Sequence, residues 1–217
     1  MSWRLTNLTL DTLADLPGSC RSCVLWELGP AVPDGMVGDE SFEKEAWLSR
    51  TLLEWGGCGQ LAYVDDKPAG HVLYAPPAYL PGSQAFPTAP VSPDAVLLAT
   101  GGVTPDRTGE GVGRMLVEAA ARDLARRGVR AMEAFGVTRC GEPGPAGASN
   151  PGACCVAPAQ FLAAVGFRTV RAHHRFPRLR MELGPARSWR AGLGYAVERL
   201  VDTGPAWLPR PVALATA

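Results

Sequence analysis

The chain carries no excess of either charge. Lys and Arg total 21, as do Asp and Glu, so the formal net charge over 217 residues is zero. That balance lacks the basic footprint of a nucleic-acid binder, and no nucleic-acid partner is expected. Long apolar runs are missing as well. No stretch reaches 18 apolar residues, so no membrane-spanning helix and no membrane partner are expected. The opening "MSWRLTNLTLDTLADLP" has no basic segment followed by an apolar core, which argues against a secretory signal and for a cytoplasmic location. The six cysteines are then expected to be reduced. Internal repeats are absent, and the irregular loops hold no acidic cluster that would suit a polycationic ligand.

What is present reads as mixed α/β. A hydrophobic fraction of 47% against 19% charged residues fits a soluble domain with a sizeable core. Residues 1–183 are expected to form that domain. Residues 184–217, a helix-like stretch with Trp189, Leu193, Val197 and Leu200 on one face and an irregular tail, are expected to pack on it or on a partner subunit, so a homodimer is one expectation. Along the chain, the pattern predicts a short helix over 8–17, a strand over 23–28 ("CVLWEL") and a helix over 41–57. That helix would have an apolar face of Phe42, Ala46, Leu48, Leu52, Leu53 and Trp55. A hairpin follows, "QLAYV" turning at Asp65-Asp66-Lys67-Pro68 into "GHVLYA". After a Pro-rich segment, 75–94, the apolar run "AVLLATGGV" (95–103) predicts a strand buried on both faces. The most regular helix pattern is 113–128, closed by Gly128, with a strand over 129–137 after it. A helix over 156–167 and two late strands complete the domain. The centre of this order is one parallel strand–helix–strand crossover.

Between strand and helix of that crossover lies "TPDRTGEGVGRML", residues 104–116. A helix start leaves backbone N–H groups unpaired at the positive end of the helix dipole, and glycines let an anion approach them. The segment reads either as such a cradle or as an ordinary glycine-rich connection. Two nucleotide motifs fail on spacing. The dinucleotide fingerprint requires glycine at 114 or 116, which are Arg114 and Leu116, and the P-loop requires Gly-Lys at 114 and 115, which are Arg114 and Met115.

The stretch resembles the acyl-CoA-binding motif of the GNAT superfamily of N-acyltransferases, Gln/Arg-x-x-Gly-x-Gly/Ala, with Gly111 and Gly113 at the two small-residue positions. "FLAAVGF" (161–167) is similar to the late helix of that family, which ends in Gly-Phe, and the element order over roughly residues 5–183 also agrees. The resemblance implies a GNAT-like α/β (α+β) fold, with a mixed central sheet, splayed central strands and flanking helices. It implies acetyl transfer from acetyl-CoA, the cosubstrate, to a small-molecule or peptide amine by direct attack. It implies a cofactor site at Gly101, Gly102 and Val103 for the pantetheine arm and at Thr108, Gly109, Glu110, Gly111, Val112, Gly113 and Arg114 for the pyrophosphate, with Cys155 at the mouth of the acyl site. The other function open to the same fold is a non-catalytic acyl-CoA-binding or sensing module.

Two positions depart from the family pattern. Thr108 stands where the motif has Gln or Arg, with Arg107 and Arg114 as alternative sources of positive charge. Leu162 stands where many members carry the tyrosine that acts as general acid, and Cys155 where an Asn is common. The thiolate of coenzyme A is a good leaving group, with a thiol pKa of about 8.5, so loss of the acid is compatible with turnover. Acyl transfer still requires an unprotonated amine. Candidate general bases are Glu27 on the first expected strand, His71 on the hairpin and Glu133 on the strand after the long helix. A main-chain N–H near Val103 would meet the oxyanion. The acceptor cleft is expected under loops 75–94 and 138–155, which hold Tyr79, Phe86 and Asn150.

Cys20-x-x-Cys23 and Cys154-Cys155 supply four thiols, but the second pair is adjacent and suits tetrahedral ligation poorly, so no metal is expected. His173 and His174 are placed in a late strand, on opposite faces by alternation.

Overall fold

The structure is a computed structural model, and it describes residues 2–28, 39–138 and 155–184. Among the described residues seven strands are present: β1 (Trp3–Asn7), β2 (Gly59–Val64), β3 (Lys67–Ala75), β4 (Ala95–Val103), β5 (Ala131–Phe135), β6 (Arg168–Arg171) and β7 (Arg178–Glu182). Four helices accompany them: α1 (Gly18–Arg21), α2 (Glu40–Glu54), α3 (Val112–Arg126) and α4 (Ala159–Ala164). The strands form one mixed sheet in the order β1-β2-β3-β4-β5-β7-β6. Among these strands β4 and β5 are the parallel pair, as the α3 crossover between them requires.

Strand β4 shows why its run is so apolar. Leu97 and Ala99 point into a core shared with Trp47, Leu48 and Phe135 on the α2 side, whereas Val96 and Leu98 point into a second core with Leu116 and Leu124 of α3. Both faces are covered, so alternation with polar residues is absent. α3 places Leu116, Val117, Ala120 and Leu124 against the sheet at helical spacing and turns Arg122 and Arg126 outward.

The ladder between β4 and β5 is short. Ala95, Val96 and Leu97 register with Ala131, Met132 and Glu133, and beyond them the strands diverge. Residues 98–103 of β4, Ala99 apart, therefore keep their β3 partners and, among the described residues, have no strand on the other side. The β3–β4 ladder also shifts register here: Leu73 faces Thr100 and Tyr74 faces Leu98, leaving Ala99 as an extra residue on β4.

Three expectations require correction. Residues 8–17 are not an α-helix. A strand, β1, precedes them, and only Leu13–Asp15 make a single 3₁₀ turn. Thr9 and Thr12 bind each other's backbone and hydroxyls, with Thr9 N–H donating to Thr12 Oγ1 at 2.9 Å, and these local bonds compete with helix propagation. Residues 23–28 are a turn rather than a strand: Leu28 N–H donates to Val24 C=O at 3.0 Å, and consecutive Trp26 and Glu27 are both buried. The face of α2 is also different. Phe42 and Leu53 are exposed, while Lys44, Trp47, Leu48 and Thr51 face inward. The helix is capped by Asp39, whose carboxylate accepts from Ser41 N–H at 2.9 Å. Residues 139–154 and 185–217, including Asn150, Cys154 and the apolar face of the tail, lie outside the described residues.

Candidate active site

The free edge of β4 beyond its divergence from β5 borders a cleft, and alternation along β3 puts the His71 ring on the Leu73 face, toward Lys44 of α2, with Val72 toward α3. The cleft is lined by residues 98–103 of β4, by Gly113, Leu116 and Val117 of α3, by Ala157 and Phe161 at α4, and by His71 and Val72 of β3. At one end stands the glycine turn. Thr104 leads into a 3₁₀ turn, Pro105–Arg107, and the chain then enters α3 through Gly109 and Gly111. These two glycines hold φ of +89° and +84°, a left-handed conformation that a side chain makes costly. No side chain caps α3, and the first bond onto its cap carbonyl is Met115 N–H to Gly111 C=O at 3.1 Å. The amides of Val112, Gly113 and Arg114 thus precede the intrahelical ladder, at the positive end of a 15-residue helix. That is an anion cradle made of main chain.

The side chains around the cradle are committed elsewhere. Glu110 is exposed and its Oε2 lies 3.5 Å from Arg107 Nη1, so a cation and an anion meet at the rim. Arg114 does not turn to the cradle, because its Nη2 donates to Ala164 C=O at the end of α4 at 3.0 Å. Thr108 Oγ1 donates back to Thr104 C=O at 3.4 Å. Glycines are also required along the strand. A Cβ on Gly102 would meet His71 Cε1 at 3.0 Å. The cleft wall at this point is bare backbone backed by an imidazole.

His71, opposite Gly102 in the β3–β4 register, is the ionisable residue among those lining the cleft. It is 2% exposed, and neither ring nitrogen has a hydrogen-bond partner among the described residues. Burial, with the Lys44 ammonium as a second cause, pushes its pKa down to about 4, so the ring is neutral at ordinary pH.

The other two candidate bases are occupied. Glu133 is fully buried. Its Oε2 accepts from Ser92 N–H at 3.1 Å and lies 3.2 Å from Arg178 Nη1, while its Oε1 accepts from Arg180 Nη1 at 3.2 Å. Glu27 forms a buried ion pair with Lys44, whose Nζ also donates to Cys23 C=O at 2.8 Å; its Oε2 has no partner among the described residues. This pair, 17 residues apart, is the feature that the sequence did not reveal; a lysine just past the first turn of a helix gives no sign of burial.

Several expected site residues fall in other places. Leu162 is fully buried in the α3-side core, and the α4 residue lining the cleft is Phe161. Phe86 does not line a cleft. It is stacked between Trp26 (4.9 Å between centroids) and Phe135 (4.4 Å), with Phe176 edge-on at 5.6 Å. Tyr79 accepts Trp47 Nε1–H on its carbonyl at 2.7 Å. Cys155 is not among the cleft-lining residues; its sulfur lies 3.4 Å from Cys23 Sγ. His173 and His174 are not on opposite faces of a strand. They follow β6 with ring centroids 4.2 Å apart, and His173 Nδ1 accepts from Arg175 and Phe176 N–H. Among the described residues, no three His, Cys, Asp or Glu side chains converge as a metal site would require.

A cleft along the diverging edge of β4, headed by a main-chain anion cradle, agrees with the comparison to known proteins. Residues 25–143 match the model of the Acetyltransferase (GNAT) family. The chain belongs to that family. Its fold is similar to several solved GNAT structures. The PaiA N-acetyltransferase of Thermoplasma acidophilum, in complex with coenzyme A, is 12% identical with a TM-score of 0.51, over 84% of this chain and 99% of that one. A GNAT acetyltransferase of Streptococcus pneumoniae is 14% identical, with a TM-score of 0.52, over 84% and 100%. YncA of Salmonella typhimurium, with its cofactor acetyl-CoA, is 12% identical with a TM-score of 0.52, over 85% and 95%. At these identities the likeness is one of fold. No curated protein matches the sequence.

Proposed function

We propose that this GNAT protein transfers the acetyl group of acetyl-CoA to an amine by direct attack, with His71 as the general base. The observation that carries this reading is the state of His71. It is neutral and buried, its ring lies against Gly102 of the free β4 edge on the α2 face of the sheet, and both of its nitrogens lack partners among the described residues. A buried polar group normally finds a hydrogen-bond partner, and an orphaned imidazole in a cleft is suited to one supplied by a ligand. Glu27 and Glu133 are less suited, since each already carries a cation.

Acetyl-CoA fits the remaining features. The amides at 109–114 would hold the pyrophosphate, and the side-chain positions of Thr108, Glu110 and Arg114 need contribute nothing beyond their main chain. The unpaired edge of Gly101, Gly102 and Val103 would hydrogen-bond the pantetheine amides as a neighbouring strand would. An N–H of the same edge would face the carbonyl oxygen as it becomes an oxyanion. The amine nitrogen attacks the thioester carbon, its proton passes to a His71 nitrogen directly or through one water, and the thiolate departs. Phe161 supplies no proton to it, and a thiol of pKa about 8.5 leaves without one.

Calorimetry with acetyl-CoA, followed by a thiol-release assay over a panel of amines, tests this. His71→Gln is expected to lower turnover by about 100-fold or more with the acetyl-CoA Kd unchanged. Binding without turnover on any amine would instead favour the acyl-CoA sensor, a reading that the phenyl ring of Phe161 also suits. No binding would remove both.

A further inference from the structure

We propose that Cys23 and Cys155 form a reversible oxidation site, closed to a disulfide by a peroxide. The two sulfurs lie 3.4 Å apart although 132 positions separate the residues. Each backbone is also held in place, since Trp26 Nε1–H, three residues after Cys23, donates to Cys155 C=O at 3.3 Å and Lys44 Nζ donates to Cys23 C=O at 2.8 Å. A disulfide needs the sulfurs at about 2.05 Å, so the gap to be closed is a little over one ångström.

The thiols are also unequal. Hydrogen bonding with Cys155 brings the Cys23 thiol down to about 7, against the desolvation that its burial imposes. Cys20, in the same C-x-x-C stretch, is raised by burial, and Cys58, buried in the core, is pushed up to about 12. Reactivity follows thiolate character and access, so Cys23 is the first sulfur to react and its neighbour resolves the product. The Cys23 thiolate attacks a peroxide oxygen, giving a sulfenic acid and hydroxide. The Cys155 sulfur then displaces that oxygen as water once its own proton is lost. In sum, two thiols and one hydrogen peroxide give one disulfide and two waters. The sulfurs lose two electrons and the peroxide oxygens gain them. The bond ties the turn before α2 to the residue two positions ahead of Ala157, which lines the cleft.

The test reads thiols rather than acetyl transfer, so its outcome is separable from that of the proposed activity. Purified full-length protein is treated with hydrogen peroxide in excess, alkylated, and digested with trypsin. The expected result is loss of two free thiols per chain. A dithiothreitol-sensitive cross-link should join the peptide starting at Ser22 to the one ending at Arg168. That second peptide also holds Cys140 and Cys154, so the cross-link must persist in Cys140→Ser and Cys154→Ser and vanish in Cys155→Ser and Cys23→Ser. A cross-link that survives Cys155→Ser, or thiol loss in the unsubstituted protein with no such cross-link, overturns the proposal, as does full resistance to the oxidant.

Discussion

His71 makes a stability prediction that is independent of its chemistry. The imidazole is buried and neutral, with a pKa pushed down to about 4 from its ordinary 6.5 by desolvation first and by Lys44 second. As pH falls through 6.5, the unfolded chain takes up a proton that the folded chain refuses, so unfolding gains free energy. The loss of stability begins near 6.5 and levels off near 4. The full gap of about 2.5 pH units, at about 1.4 kcal/mol each, amounts to about 3 kcal/mol, of which about 2 kcal/mol is lost by pH 5. Urea unfolding of the wild type and of His71→Gln at several pH values between 7 and 4.5 measures it. Asp94 and Glu182, both held down by hydrogen bonds from Arg180, also weaken in acid, but they are present in both proteins and cancel in the difference. The difference curve should therefore rise with acidity by about 2 kcal/mol at pH 5 in favour of the variant. Parallel curves would refute the argument, because they would mean that His71 is as easily protonated folded as unfolded.

Lys44→Met leaves the buried Glu27 carboxylate without its cation and should cost about 3–5 kcal/mol in urea unfolding, most of it recovered in the double variant with Glu27→Leu; a cost below about 1 kcal/mol would contradict the buried pair. Glu110→Ala removes the anion that engages Arg107 at the rim of the cradle, and calorimetry should show acetyl-CoA binding tightened by about two- to five-fold, whereas a large weakening would mean that the Glu110 side chain itself serves the ligand.

The parts of this fold that were legible in the sequence are those where one periodicity covers a long stretch. Strand β4 is a continuous apolar run because both faces are covered, and α3 repeats its apolar positions over four turns. The glycine turn was legible for the same reason, since Gly109 and Gly111 sit between these two signals and hold conformations that favour glycine. Where burial depends on distant partners, the local pattern misleads. Trp26 and Glu27 look like part of a strand, yet the one is held by stacking on Phe86 and the other by Lys44. Phe42 and Leu53 look like core and face solvent, because the inner face of α2 is set by that ion pair and by Trp47. Of the three candidate bases, sequence had no means of choosing. Glu133 and Glu27 were distinguished from His71 only once their cations were visible.

The short ladder between β4 and β5 has a mechanical consequence. Four strands on one side and three on the other are welded along the sheet by three register positions, Ala95–Leu97 against Ala131–Glu133. Every other ladder that borders these two strands is longer. An extended chain laid against the free edge of β4 would act as a spacer between the halves, supplying backbone bonds that the protein itself leaves unmade. Stiffness of the sheet across this seam and occupancy of the cleft would then be a single variable. Amide protection along residues 98–103 would report on the ligand as directly as any binding isotherm.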